Sequence, residues 1–261
     1  MTRNAGGEGS DPSARMARYD FNAQRLFVEA DLAEAMTVAC SSGQANYLKN
    51  VLRLKSGGAI LVFNGRDGEW RAELVDAGRR DAALLIKAQV RPQEGGPDID
   101  YLFAPLKRAR LDYLVQKATE MGVARLRPVL TRRTTPERVN VERMRANAIE
   151  AAEQCGILGI PEVSAPEKLG TVLAGWDAMR PLVFCDEGSE ERCPITTLAR
   201  LQPGPLALLI GPEGGFDESE RALLSSKPFV TSISLGPRIL RADTAAVAAL
   251  ALVNAVLGDW R

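Results

Sequence analysis

Apolar residues in this chain follow two patterns, and the change between them falls near residue 91. Before it, short apolar runs predict strands at 25–30 (RLFVEA), 59–65 (AILVFNG), 69–75 (EWRAELV) and 83–90 (ALLIKAQV). Between the second and third runs, NGRDG at 64–68 offers glycine for positive φ and predicts a hairpin turn. Within 43–54, Tyr47, Leu48, Val51, Leu52 and Leu54 recur at helical spacing. A small β-barrel carrying one helix fits this half.

Residues 91–98 (RPQEGGPD) are polar and rich in Pro and Gly, the best linker signal in the sequence. Beyond them strands alternate with helices. The pattern predicts a strand at 99–106 and an amphipathic helix at 108–122 closed by Gly122. It continues with a strand at 126–131 and a helix from about Asn140 to Cys155. Strands at 181–188, 206–211 and 230–236 each run into a loop. Such alternation predicts an α/β domain with a largely parallel sheet covered on both faces. A length of 261 residues is comfortable for two cores. The expected division is a flexible extension at 1–17, a barrel at 18–91, a linker at 92–98 and the α/β domain at 99–261.

Composition narrows the chemistry. The chain has no histidine, which excludes histidine catalysis, and its four cysteines form no C-x-x-C pair, so no metal site is expected. Scattered single cysteines suit a reducing compartment. The polar start has no secretory pattern, and the apolar stretch Ala245–Leu257 is broken by Asn254 and too short to span a bilayer. A soluble, cytoplasmic protein with no membrane partner is expected. Lys plus Arg and Asp plus Glu both number 33, so any basic surface must be local. One candidate is residues 101–150, where eleven basic residues face five acids, as a solvated helix face or a polyanion footprint would.

In open α/β sheets, ligands bind beyond the carboxyl ends of the strands. Three such ends stand out: FCDEG, LIGPEGGF and SLGPRILRADT. In the second, Asp217 and Glu220 have capping-box spacing, and Gly211, Gly214 and Gly215 leave main-chain groups uncovered by side chains. Two readings stand: a tight turn before a capped helix, or a backbone bared to hold a ligand. Neither loop has a P-loop ending or a dinucleotide fingerprint. The Glu213 carboxylate would repel a phosphate and tolerate a cation such as a sulfonium. In the third, Arg238 and Arg241 precede a helix expected from Asp243 or Thr244. That helix is apolar almost all round, so it lies in the domain core or against a second copy of the chain, the latter favoured.

The paired stretches LLIGPEGGFDESE (208–220) and SLGPRILRADTA (234–245) resemble the 16S ribosomal RNA uracil-N3 methyltransferase family of the SPOUT superfamily. Similarity extends to NYLKNVLRLKSGG, RLDYLVQKATEMGV and EAAEQCG, and covers about residues 18–261. The resemblance implies a PUA-like N-terminal β-barrel that helps hold RNA and a C-terminal α/β domain with a deep trefoil knot. It further implies S-adenosyl-L-methionine as methyl donor, 16S rRNA within the small ribosomal subunit as partner, and a homodimer. The cofactor would lie among three segments. Ile210, Gly211, Glu213, Gly214 and Gly215 form one. Leu235, Gly236, Ile239, Leu240, Arg241 and Thr244 form another, and Cys185, Asp186 and Glu187 close the third side. Two departures appear: Ile157 follows Gly156 where the family usually has arginine, and RADTA replaces the commoner RTETA.

For such a reaction the difficulty is the acceptor, because uracil N3 carries a proton and attacks poorly until it leaves. Without histidine, the base is a carboxylate or water, or an arginine stabilises charge on the uracil oxygens as the proton departs. Arg241 is assigned to charge stabilisation and orientation, with an ion pair to Asp243 or another carboxylate, shaping the loop, as the alternative role. Glu213 is the weaker candidate for the base. Since N3 lies on the Watson–Crick edge, the uridine must be unpaired or extruded. Rival readings are a ribose 2′-O or tRNA methyltransferase, and a non-enzymatic RNA-binding module.

Overall fold

The computed structural model describes residues 23–76, 81–135, 138–189 and 193–261; the extension expected at 1–17 lies outside them. The chain forms two compact units, one ending at Gln93 and the other beginning at Glu94.

The first unit is built on strands β1 (Arg25–Phe27), β2 (Thr37–Ala39), β3 (Ala59–Phe63), β4 (Glu69–Asp76) and β5 (Ala82–Arg91). They pair in the order β1-β3-β4-β5-β2, antiparallel except for β1 with β3. Alternation along β5 sends Ala82, Leu84 and Ile86 into a core shared with Leu26, Val38, Leu48, Val62 and Leu74. The turn between β3 and β4 has Gly65 and Gly68 at φ 81°. At Gly68 a Cβ would sit 2.3 Å from the Arg91 carbonyl oxygen, so no other residue fits.

The helix expected at 43–54 is shorter and changes winding. Helix α1 (Ser42–Asn46) starts at a capping box of Ser41 and Gln44, then widens into a π-helical turn over Tyr47–Val51. There the Leu52 N–H donates to the Tyr47 carbonyl, five residues back. Arg53, at φ 55°, ends the segment, because a left-handed residue cannot continue the winding. Glu69 is buried between Arg25 and Arg91, with closest approaches of 2.8 Å, and so ties β4 to β1 and β5.

The second unit has strands β6 (Ile99–Phe103), β7 (Arg125–Leu130), β8 (Glu162–Val163), β9 (Glu167–Lys168), β10 (Leu182–Cys185), β11 (Leu206–Ile210) and β12 (Val230–Ile233). Their order is β12-β10-β11-β6-β7-β8, with β9 also on β7, and every recorded pair is parallel. Its helices are α2 (Arg108–Glu120), α3 (Val141–Cys155), α4 (Leu169–Ala174), α5 (Pro194–Leu198), α6 (Glu218–Ser225) and α7 (Ala242–Val256).

Two-residue periodicity divides the strand side chains between two cores. Ile99, Tyr101, Phe103, Leu206, Leu208 and Ile210 meet α2, α3 and α7 on one face. Leu102, Ala207, Leu209, Leu182 and Phe184 meet α4, α6 and Phe216 on the other. A parallel sheet covered on both faces is thus what the near-continuous apolar runs encode. Boundaries shift slightly: β6 stops at Phe103 rather than 106, and α2 at Glu120, where Gly122 turns the chain at φ 76°. Asn140 caps α3 through the Arg143 N–H, and Gly156 closes it at φ 63°. The apolar helix α7 begins at Ala242, one residue before the expected start. One face, with Ala245, Ala246, Ala249, Leu250 and Val253, is buried in the domain core. No described helix is long and apolar enough to cross a membrane.

Candidate active site

The sheet order places β10 between the two later strands β11 and β12, so the carboxyl ends of all three open side by side. A cleft lies there. Cys185, Asp186, Glu187, Ile210, Gly211, Glu213, Gly214, Gly215, Leu235, Gly236, Ile239 and Leu240 line it, joined by Pro212, Phe216, Ser234 and Arg238. Of the residues expected at the cofactor, Arg241 and Thr244 do not line it, although Leu240 and Ala242 on either side of Arg241 do.

The loop after β11 is held from many sides. Gly215, at φ 68°, folds its N–H back to the Pro212 carbonyl at 2.8 Å. Gly211 lacks a Cβ because Phe216 packs there: a Cβ would lie 2.5 Å from the ring. That ring in turn meets Phe184 edge-on, with centroids 5.1 Å apart. Asp217 accepts the Glu220 N–H at 2.8 Å while Glu220 accepts the Asp217 N–H at 3.2 Å, a complete capping box on α6. Hydrogen bonds from the Ser219 hydroxyl and the Glu220 N–H hold the Asp217 carboxyl below its usual range. Three arginines reach in from elsewhere: Arg110 pairs with Glu213 at 3.2 Å, Arg132 with Asp217 at 3.2 Å, and Arg133 donates to the Gly214 carbonyl at 2.7 Å.

The strand end at β10 is held likewise. Arg221 of α6 forms ion pairs with Asp186, at 2.6 Å, and with Glu187. Burial pushes the Cys185 thiol far above its usual range, so the cleft meets a neutral sulfur and not a thiolate nucleophile.

The loop after β12 is different. Gly236 sits at φ 101°, Ile239 is 94% exposed, and Arg238 and Arg241 make no side-chain hydrogen bond or ion pair among the described residues. Arg241 is the N-cap residue of α7 but gives it no side-chain bond. Its alternative role as a partner of Asp243 is not realised; that carboxylate instead accepts the Thr244 N–H at 2.8 Å.

The cleft therefore combines apolar walls from Ile210, Leu235, Ile239 and Leu240 with carboxylates at Asp186, Glu187 and Glu213. Such a surface suits a ligand with a flat apolar ring, hydroxyls and a positive centre. S-adenosyl-L-methionine has all three, so the donor set fits it. Arg110, Arg132, Arg133 and Arg221 were not foreseen as parts of this site. They reach it across 34 to 103 residues of sequence, and no local spacing signals such a partnership. Among the described residues no cluster of His, Cys, Asp and Glu suits a metal ion.

Comparison with known proteins identifies the class. Residues 94–254 match the RNA methyltransferase domain family, and residues 42–87 match the RNA methyltransferase PUA domain. The chain is 32% identical to the ribosomal RNA small subunit methyltransferase E of Rickettsia conorii, over 88% of this chain and 94% of that protein. With the protein of the same name from Synechocystis it shares 34% identity over 90% of this chain and 78% of the relative. A methyltransferase structure from Legionella pneumophila, solved with the cofactor SAM bound, is 27% identical with a TM-score of 0.79, covering 91% of this chain and 99% of that one. The chain belongs to the ribosomal RNA small subunit methyltransferase E family.

Proposed function

We propose that this protein transfers the methyl group of S-adenosyl-L-methionine to N3 of a uridine in small-subunit (16S) ribosomal RNA. The observation that carries the proposal is the cleft at the ends of β10, β11 and β12, walled by two Gly-Pro loops and edged with carboxylates. Membership of a family whose relatives are named ribosomal RNA small subunit methyltransferase E, and a similar structure holding SAM, support it.

In this reading the main chain at Gly211, Gly214, Gly215 and Gly236, with Ile210, Leu235, Ile239, Leu240 and Cys185, holds the adenosyl part. Thr244 supports the second loop from the first turn of α7. Asp186 and Glu187 serve the ribose hydroxyls. The bound donor supplies an electrophilic methyl on a positive sulfur, which needs no acid from the protein. The chain's task is to seat the acceptor in line and to stabilise the charge left when the N3 proton departs. Arg241 suits the second task, since it is exposed, lies between the cleft-lining Leu240 and Ala242, and has no partner among the described residues to give up. Glu213 is the carboxylate for the proton or for the sulfonium side; drawing on it breaks only an exposed pair with Arg110, worth about 1 kcal/mol or less.

We also read the half-buried outer face of α7, with Val247, Ala248, Ala251 and Leu252, together with the bared Ile239, as the contact of a homodimer. The trefoil knot and a cytoplasmic setting belong to the same reading. Incubating the protein with labelled donor and either naked 16S rRNA or 30S subunits, then digesting the RNA and weighing the nucleosides, tests it. The expected product is 3-methyluridine; a 2′-O-methyl nucleoside would transfer the assignment to a ribose methylase.

A further inference from the structure

The basic residues between 101 and 150 are not equivalent. Arg125 and Arg127 pair with Asp98 and Asp100, Lys117 with Glu120, and Arg143 with Asp112. Arg110 and Arg132 are held by the acids of the cofactor loop. Most of the local excess seen in sequence is thus engaged within the fold. Lys107, Arg108 and Arg138 are the exception: all three are exposed, and none makes a side-chain hydrogen bond or ion pair among the described residues.

These three stand together. Lys107 and Arg108 open α2, Arg138 lies just before α3, and with Arg143 and Asn140 they line one groove. Its acid, Asp112, is already occupied. Arg143 grips it through two bonds of 2.8 and 2.6 Å and Asn147 through a third, which holds its carboxyl below the usual range. A second hollow shares Lys107 and Thr135 with this groove and Glu213 with the cofactor cleft. A continuous track therefore leaves a cleft whose carboxylates are paired with arginines, passes the exposed Arg110–Glu213 pair, and enters a cationic groove.

We propose that this track seats backbone phosphates of the RNA strand whose uridine enters the cleft, with Lys107, Arg108 and Arg138 as the phosphate ligands. The inference rests on the RNA methyltransferase reading and adds where the strand leaves the active site. Charge sorting carries it. In the cleft the carboxylates Asp186, Glu187 and Glu213 already hold Arg221 and Arg110, whereas the groove clusters three exposed cations around an acid that is taken, so the track favours a strand with its base inward and its backbone outward. Exposed, unpaired cations also act at little desolvation cost, as expected for contacts that position a strand and leave its sequence unread.

The test uses the full chain and a fluorescently labelled single-stranded RNA of about 12 nucleotides, titrated at several salt concentrations. Each lost phosphate contact should reduce the slope of log affinity against log salt by about 0.7. The Lys107→Ala/Arg138→Ala variant should therefore show a slope smaller by about 1.4 and an affinity at low salt reduced about tenfold. The Lys168→Ala/Lys227→Ala variant, altered away from the track, should match the wild type. Calorimetry with S-adenosylhomocysteine should give wild-type binding in both. An unchanged slope in the track variant, an equal loss in the control, or equal competition by poly-glutamate would overturn the proposal. Should the wild type bind no S-adenosylhomocysteine while the track variant still loses its salt slope, the methyl-transfer reading falls and the RNA track stands.

Discussion

Two loops of the same design, an apolar strand followed by Gly-Pro and a helix, face each other across the cleft and are finished in opposite ways. The loop after β11 is pinned by a capping box, three arginines from distant segments and a phenylalanine packed where a side chain would otherwise be. The loop after β12 leaves Arg238 and Arg241 without a side-chain partner among the described residues, and Ile239 bare. In the first, polar groups are used to fix a shape; in the second, they are left for something outside the chain. Substitutions in the pinned loop should therefore act first on stability, and those in the open loop on chemistry and association.

The largest effect expected is at Arg241. Arg241→Ala should lower single-turnover methyl transfer by about 100- to 1000-fold, the usual loss for one charge-stabilising donor, while donor binding survives in part and melting is unchanged. A near-normal rate would make Arg241 a bystander and remove the contrast between the loops. Next comes Gly211→Ala in the pinned loop, whose new methyl must displace the buried Phe216 ring. It should cost about 1–3 kcal/mol of unfolding free energy in a denaturant titration, and an unperturbed midpoint would show that Phe216 yields freely.

Glu213→Gln sharpens the comparison, since Glu213 belongs to the pinned loop yet faces the cleft. It should weaken donor binding several-fold by calorimetry and change stability by less than about 1 kcal/mol, its pair with Arg110 being exposed. The smallest effect is at the cap. Asp217→Ala should lower Tm by a few degrees near neutral pH. Because the folded carboxyl titrates below its usual value, its contribution is complete above about pH 4 and fades as pH falls through the depressed value. The gap between variant and wild type should close in acid; a gap that persists there would assign the loss to packing.

What was legible in the sequence follows from which signals are local. The alternation of β3, β4 and β5, the apolar runs of β6, β10, β11 and β12, and the periodic faces of α2 and α3 were readable because each lies within 15 residues of sequence. Strands of two or three residues such as β2, β8 and β9, and the short helices α4 and α5, carry too few positions to show a period. The π-helical turn at Tyr47–Val51 has the same apolar spacing as an α-helix, so the pattern could not separate them. Parallel pairing of β1 with β3 depends on the path of the chain between them. In the cleft, the glycines and prolines were visible as punctuation, whereas the arginines that brace the loop were visible only as charge. That is why residues 101–150 looked uniformly basic, when the fold engages most of those charges and leaves Lys107, Arg108 and Arg138 outside.

The central claim is that the two loops together form the seat of the methyl donor. Crystals of the protein soaked with S-adenosyl-L-methionine test it most directly. The account predicts the adenosyl group between Gly211–Gly215 and Leu235–Leu240, bonded to main-chain groups, with the sulfur-bound methyl turned towards Arg241. A donor bound elsewhere, or a cleft filled by the side chains of Ile239 and Leu240, would contradict it.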